Sequence, residues 1–311
     1  MNRIQKLYFI SSILFLSLNQ CGAVQKYRAS KLPNLHSMQI EHNGKNRTYH
    51  VYSPSKMNSN MYQALVLVLH GRFGSGIQVM YQTELNKIAD DSNLLIIYPD
   101  GYGKSWADGR GGTPADLGGI DDVAFLEKLL QIETRRYKLD PNKVFIMGHS
   151  NGGFMTQRML LERTELFRAG ASVVSQISVN LAKKYKPQRP INVLFLNGTE
   201  DPLVPYYGGY VSDLGEILSV NESFHKWVEW NGCKNQIQLE TFDRDPLDKT
   251  KITIMKSESC SNNTKVLSYS IMGGGHNYPG KQDNIPFVKL GEPTFEIDAT
   301  KIIWDFFKST L

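Results

Sequence analysis

The chain has 311 residues, enough for one large α/β domain or two smaller ones, and its 41% hydrophobic content is that of an ordinary globular protein. Its 35 Lys and Arg against 30 Asp and Glu leave a formal charge of +5, scattered with no basic stripe, which argues against a nucleic-acid partner. Its 26 Gly and 13 Pro are too few for a collagen-like or disordered chain, and no internal apolar run is long enough for a transmembrane helix.

The N-terminus reads as a targeting segment. Arg3 and Lys6 form a basic stretch, Leu7 to Leu18 a short apolar one, and Cys21 follows at once. Residues 1–20 are therefore expected to be a secretory signal peptide. Leu18-Asn19-Gln20-Cys21 resembles a bacterial lipobox, although Asn19 and Gln20 are unusual there. The expectation is a lipoprotein whose Cys21 carries the lipid, so that membrane contact is made only through this anchor; the alternative is a signal peptide cut elsewhere. Either way the chain is placed outside the cytoplasm. Residues 21–36 are polar, without periodicity, and read as a tether. With Cys21 spent on lipid, Cys233 and Cys260 remain, and an even remainder in an exported protein points to a disulfide.

From residue 37 onward the pattern alternates between strand and helix. His36 to His42 and Arg47 to Tyr52 are expected to form an antiparallel hairpin joined at Asn43-Gly44. Continuous apolar runs follow at 64–69, 94–98, 143–147, 170–174 and 192–196, the pattern of strands buried on both faces of a parallel sheet. Helical periods fall at 121–136, 151–167, 217–230 and 300–307, and Val266 to Met272 makes a further apolar strand. The fold class is α/β, a mostly parallel doubly wound sheet with an N-terminal hairpin, in a single domain over residues 37–311.

Gly148-His149-Ser150-Asn151-Gly152 stands between a strand and a helix. That is the context of the nucleophile elbow of α/β-hydrolases, where a sharp turn demands small residues two before and two after the serine. The nucleophile needs a base, and the base an orienting acid, in the chain order Ser, Asp or Glu, His. His276 follows Gly273-Gly274-Gly275 on a loop after a strand, whereas His225 falls within a helix. Asp201 lies just past the strand ending at Leu196, with its neighbour Glu200 the weaker candidate. The oxyanion hole is expected from two backbone N–H groups, Asn151 after the nucleophile and Arg72 in the loop His70-Gly71-Arg72-Phe73-Gly74, with Phe73 as the alternative to Arg72. Gly103-Lys104-Ser105 lacks the leading glycine of a phosphate loop, and no H-E-x-x-H or C-x-x-C occurs, so neither a cofactor nor a catalytic metal is expected.

With these motifs placed, the chain resembles the secreted esterases grouped with poly(3-hydroxybutyrate) depolymerases and feruloyl esterases. The matching pieces are Leu69-His70-Gly71, Tyr98-Pro99-Asp100-Gly101 with Ser105-Trp106 and Asp108-Gly109, Asp121-Asp122-Val123, Gly148 to Gly153, Gly198 to Pro205, and Gly273 to His276 with Tyr278-Pro279-Gly280. The resemblance runs from about residue 45 to the C-terminus. It implies a triad of Ser150, Asp201 and His276 and a Cys233–Cys260 bridge. Two positions depart from the family pattern: Arg72 replaces a smaller residue, and Tyr278 stands where members often have Trp.

The expected activity is hydrolysis of a polyester or hydroxycinnamoyl-type ester through an acyl-enzyme. Trp106 and Tyr278 are the candidate cleft residues, with core packing the alternative for Trp106. A serine peptidase would use the same triad, and a non-catalytic binding lipoprotein is the remaining alternative. The segment 175–191 is short and carries Lys183, Lys184, Lys186 and Arg189, which argues against an apolar lid there.

Overall fold

The computed structural model describes residues 22–54, 62–212, 214–234, 238–285 and 287–311. The expected signal peptide, 1–20, and Cys21 lie outside the described residues. Among these residues no helix is long and apolar enough to cross a membrane.

The first two strands, β1 (Leu35–His42) and β2 (Lys45–Tyr52), pair antiparallel in the expected register. Asn43 and Gly44 both take positive φ, 49° and 71°, as a two-residue hairpin turn with matching twist requires. The next strands are β3 (Ala64–Leu69), β4 (Leu94–Pro99), β5 (Val144–His149), β6 (Ala169–Val173) and β7 (Asn192–Gly198). Every residue of these five strands is buried. Alternation shows why: Ala64, Val66 and Val68 of β3 enter one apolar core, and Leu65, Leu67 and Leu69 enter the other. The helices Gly76–Thr83, Leu85–Ser92 and Ala299–Lys308 close the first core, and Asp122–Arg136, Asn151–Glu162 and Val220–Trp230 close the second. A strand covered on both faces has no use for polar alternation, which is why these runs are continuously apolar.

Past β7 come two two-residue strands, β8 (Gly209–Tyr210) and β9 (Glu216–Ile217), which pair only with each other, and then β10 (Gln238–Phe242), β11 (Lys251–Ser257) and β12 (Val266–Met272). Among the described residues ten strands form one sheet in the order β1-β2-β4-β3-β5-β6-β7-β12-β11-β10. β3 to β7 and β12 pair parallel, while β1–β2 and β10–β11 add antiparallel edges. The edge strand β10 and its neighbour β11 escaped the sequence reading because β11 is buried only at alternate positions along much of its length, as suits a strand with one face toward solvent. Cys233 and Cys260 are disulfide-bonded across a separation of 27 residues, tying the end of the helix Val220–Trp230 to the turn between β11 and β12. Closing a loop of that length stabilises by roughly 3 kcal/mol in the chain-entropy account.

The tether expectation is corrected. Residues 22–29 are helical, Ala29 is buried, and Leu32 and Leu35 pack beside it on the first core. Three apolar side chains spaced three apart are enough to dock a segment whose remaining residues are polar, and the carbonyl of Asn34 accepts the N–H of Ser53. Segment 175–191 forms one short helix, Val179–Lys184, that buries only Leu181 and leaves Lys183, Lys184 and Lys186 exposed.

Candidate active site

Ser150 sits between β5 and the helix Asn151–Glu162 with φ 55° and ψ −120°, a conformation strongly disfavoured for a residue with a Cβ. Packing enforces it. A Cβ on Gly148 would lie 2.1 Å from the carbonyl oxygen of Gly152, and one on Gly152 would lie 2.3 Å from that of Leu69, so the turn closes only around glycine. The N–H of Ser150 donates to the carbonyl of Val173 on the neighbouring strand (2.9 Å).

The structure brings the three expected triad residues together. His276 Nε2 lies 2.9 Å from Ser150 Oγ, and His276 Nδ1 lies 2.6 Å from Asp201 Oδ2. The acceptor-only carboxylate fixes the proton on Nδ1 and leaves Nε2 free to accept from the serine hydroxyl. Asp201 Oδ1 accepts the N–H groups of Leu203 and Val204, both at 2.8 Å, so the acid is aimed by its own loop. Glu200 has no part in this arrangement, and His225 Nδ1–H donates to the carbonyl of Asn221 within its own helix. The imidazole of His149 packs against His276 with ring centroids 5.5 Å apart. Burial pushes the His149 pKa down to about 4, so at neutral pH it backs the base as an uncharged ring.

The two expected oxyanion donors face different local demands. Asn151 is the first residue of its helix, where the N–H has no intrahelical acceptor. In the loop after β3 the N–H of Phe73, the alternative donor, is bonded to the carbonyl of Lys104 (2.8 Å), with Phe73 at φ 66°. That leaves the Arg72 N–H. Gly71 holds this loop against the nucleophile, since a Cβ there would stand 3.4 Å from Ser150 Cβ. His70 pins the loop from behind. Its Nδ1–H donates to the Gly71 carbonyl (2.7 Å), and Nε2 accepts the Gly101 N–H (2.9 Å). Burial lowers its pKa to about 4, which keeps it neutral and able to accept.

Trp106 and Tyr278 are not cleft residues. Both are fully buried. Trp106 Nε1–H donates to the His70 carbonyl (2.9 Å), bracing the oxyanion loop from the core, because a buried indole must place its one donor. The Tyr278 hydroxyl is paired with Thr300 Oγ1 (2.9 Å), and its ring meets His149 edge-on. Phe73, on the loop that touches Ser150, is instead exposed, as are Tyr207 and Tyr210 in the chain after Asp201 and Phe287 in the chain after His276. Burial of Trp106 and exposure of Phe73 depend on pairings between distant segments, which local sequence does not report.

A polar network beneath the site was also not foreseen. Asp108 accepts two side-chain hydrogen bonds from Arg110, through Nε at 3.0 Å and a terminal nitrogen at 2.7 Å, and a third from Asn151 Nδ2 at 2.6 Å. Asn151 Oδ1 in turn accepts the Trp106 N–H (2.8 Å). All four residues are buried. Their signal in the sequence is only the cluster of charge at Asp108-Gly109-Arg110, beside Trp106. Among the described residues no cluster of His, Cys, Asp and Glu is placed to hold a metal ion.

Comparison with known proteins agrees with this geometry. Residues 99–186 match the prolyl oligopeptidase family. Feruloyl esterase D of Neurospora crassa is 26% identical over 283 residues, covering 85% of this chain and 82% of that one. Feruloyl esterase B of Piromyces equi is 26% identical over 72% of this chain, which spans only 41% of that longer protein. The solved acetyl xylan esterase of Aspergillus awamori superposes with a TM-score of 0.55 at 16% identity, over 78% of this chain and 94% of that one. The chain has the α/β-hydrolase fold and is similar over most of its length to these esterases. The sheet order and the serine turn are what that fold requires, since the nucleophile stands at the carboxyl end of a central parallel strand.

Proposed function

We propose that this esterase works through an acyl-enzyme on Ser150 and takes aryl, hydroxycinnamoyl or polyester-type esters rather than long-chain lipids. The observation that carries the mechanism is the continuous relay from Ser150 Oγ through His276 to Asp201. Ser150 Oγ attacks the ester carbonyl carbon as its proton passes to His276 Nε2. The N–H groups of Asn151 and Arg72 hold the oxyanion. Collapse expels the alcohol, which takes the proton from His276. Water then adds to the acyl group by the same route and frees the acid. The Asp201 carboxylate, hydrogen-bonded to Nδ1, steadies the imidazolium.

The substrate preference rests on what surrounds the serine. The short helix Val179–Lys184 gives no broad apolar lid, and the exposed ring of Phe73, on the loop that touches Ser150, offers a stacking surface. A series of p-nitrophenyl esters, methyl ferulate, a hydroxybutyrate polyester and peptide amides tests this. We expect short and aromatic acyl groups to lead, with a burst of p-nitrophenol that marks the acyl-enzyme. Rising kcat/KM beyond a dodecanoyl chain with interfacial activation would defeat the open-site reading, and cleavage of peptides in preference to esters would favour the peptidase that the 99–186 match also allows.

We propose further that residues 37–311 are the catalytic domain, that residues 1–20 direct export and that Cys21 carries a lipid anchor, on the strength of the apolar stretch ending at Leu18. Expressed in a bacterium, the wild type should fractionate with membranes and Cys21→Ser should not. A mature N-terminus downstream of residue 21 would refute the anchor.

A further inference from the structure

We propose that the Arg72 guanidinium is a carboxylate-binding subsite, so that the enzyme favours esters carrying a free carboxylate on the acyl or the alcohol part. The inference deepens the ester-hydrolase reading and rests on Ser150 being the nucleophile. Arg72 belongs to the loop that touches the serine, one residue from Gly71. Its side chain is half-buried and its Nε is fully buried without a hydrogen-bond partner. Among the described residues no carboxylate or carbonyl bonds its guanidinium, which contacts only the face of the neighbouring Phe73 ring, 4.9 Å from its centroid.

A buried, unpaired guanidinium nitrogen is costly unless a ligand completes it, because arginine stays charged at every accessible pH. The carboxylates of the surrounding loops are committed elsewhere. Asp100 accepts from Thr48 Oγ1 (2.6 Å) and the Gly76 N–H (2.7 Å), Asp108 binds Arg110, and Asp201 binds His276. Lys104 lies beside the same loop, its carbonyl accepting the Phe73 N–H, so the local balance of uncommitted charge is positive. The Phe73 ring beneath the guanidinium limits its rotation and presents its edge in one direction, as bidentate recognition of a planar carboxylate needs. A neutral ester leaves this donor set empty, whereas an ester with a carboxylate within reach fills it.

The test uses two matched pairs on the purified full chain: p-nitrophenyl hemiglutarate against its primary amide, and a hydroxybutyrate dimer with a free carboxylate against its primary amide. A charge-assisted contact in a half-buried site predicts that the acid form is favoured by about tenfold to a hundredfold in kcat/KM in at least one pair. In Arg72→Met that ratio should fall to unity or below, and Arg72→Lys should recover part of it. The wild-type preference should also shrink as salt is raised, and glutarate should inhibit turnover of the neutral ester competitively; these two arms need no variant to fold. An acid-to-neutral ratio near unity in both pairs for the wild type, or one that survives Arg72→Met, overturns the subsite. Failure of the wild type to turn over either form of either pair would instead overturn the ester-hydrolase reading, so the two outcomes are separable.

Discussion

Replacing Ser150 with alanine is expected to lower kcat on an activated ester by about 10³-fold or more, while the protein remains folded. Both halves follow from where the hydroxyl stands. Among the described residues Oγ has one bonding partner, His276 Nε2, and the residue's backbone is held by the Val173 carbonyl and by the glycines that flank it. Alanine keeps the Cβ and therefore the same positive-φ strain, of order 1–3 kcal/mol, that the surrounding packing already sustains. Removing Oγ empties a position at the mouth of the site, so no core contact is lost. What is lost is the side-chain nucleophile that His276 activates for acylation, leaving direct attack by water as the remaining route. Thermal unfolding of the variant beside its esterase rate decides the matter. A folded Ser150→Ala protein with wild-type turnover would remove Ser150 from the chemistry, and a protein that unfolds would mean the hydroxyl supports the turn in a way its contacts do not indicate.

How much of this was legible beforehand depends on the range over which each feature is encoded. The hairpin at Asn43-Gly44 is local, since two adjacent residues must both accept positive φ. The five buried strands are nearly local, because burial on both faces writes itself as an unbroken apolar run. Ser150, Asp201 and His276 could be chosen because chain order and strand ends constrain them, although 126 residues separate the serine from the histidine. The features that were missed are set by long-range pairing. Trp106 is drawn inward because the His70 carbonyl, 36 residues away, needs its donor. Residues 22–29 look like a tether until Ala29, Leu32 and Leu35 find the first core. β11 looks like loop because only part of it is apolar, and it gains its ladder from β10 and β12.

The second large effect concerns Asp108, which touches neither substrate nor triad. Burial alone would push its carboxyl pKa up, and the outcome stays on that side even though Arg110 draws it down. The pair is completely enclosed, with Arg110 also lying over the Phe154 ring at 3.9 Å. Asp108→Ala would leave a guanidinium buried without its counter-charge, and truncating one partner of such a pair typically costs about 3–5 kcal/mol. The same substitution removes one of the two acceptors of Asn151 Nδ2, leaving only the Trp106 carbonyl at 3.2 Å, so the first residue of the helix after Ser150 loses the shorter of the bonds that orient this amide. Esterase kcat should therefore fall by about fivefold even at temperatures where the variant is folded, since one net hydrogen bond is worth roughly 1 kcal/mol. The double variant Asp108→Leu with Arg110→Met separates the two roles. With both charges gone, the desolvation penalty disappears on each side, and stability should return to within about 1–2 kcal/mol of wild type. The loss in kcat should persist, because the carboxylate acceptor for Asn151 has not been restored. Denaturant midpoints and kcat on p-nitrophenyl acetate for the two singles and the double close the cycle. If Asp108→Ala unfolds no more easily than wild type, the pair is not buried as described; if the double variant regains full kcat, the contact with Asn151 does not position the oxyanion donor.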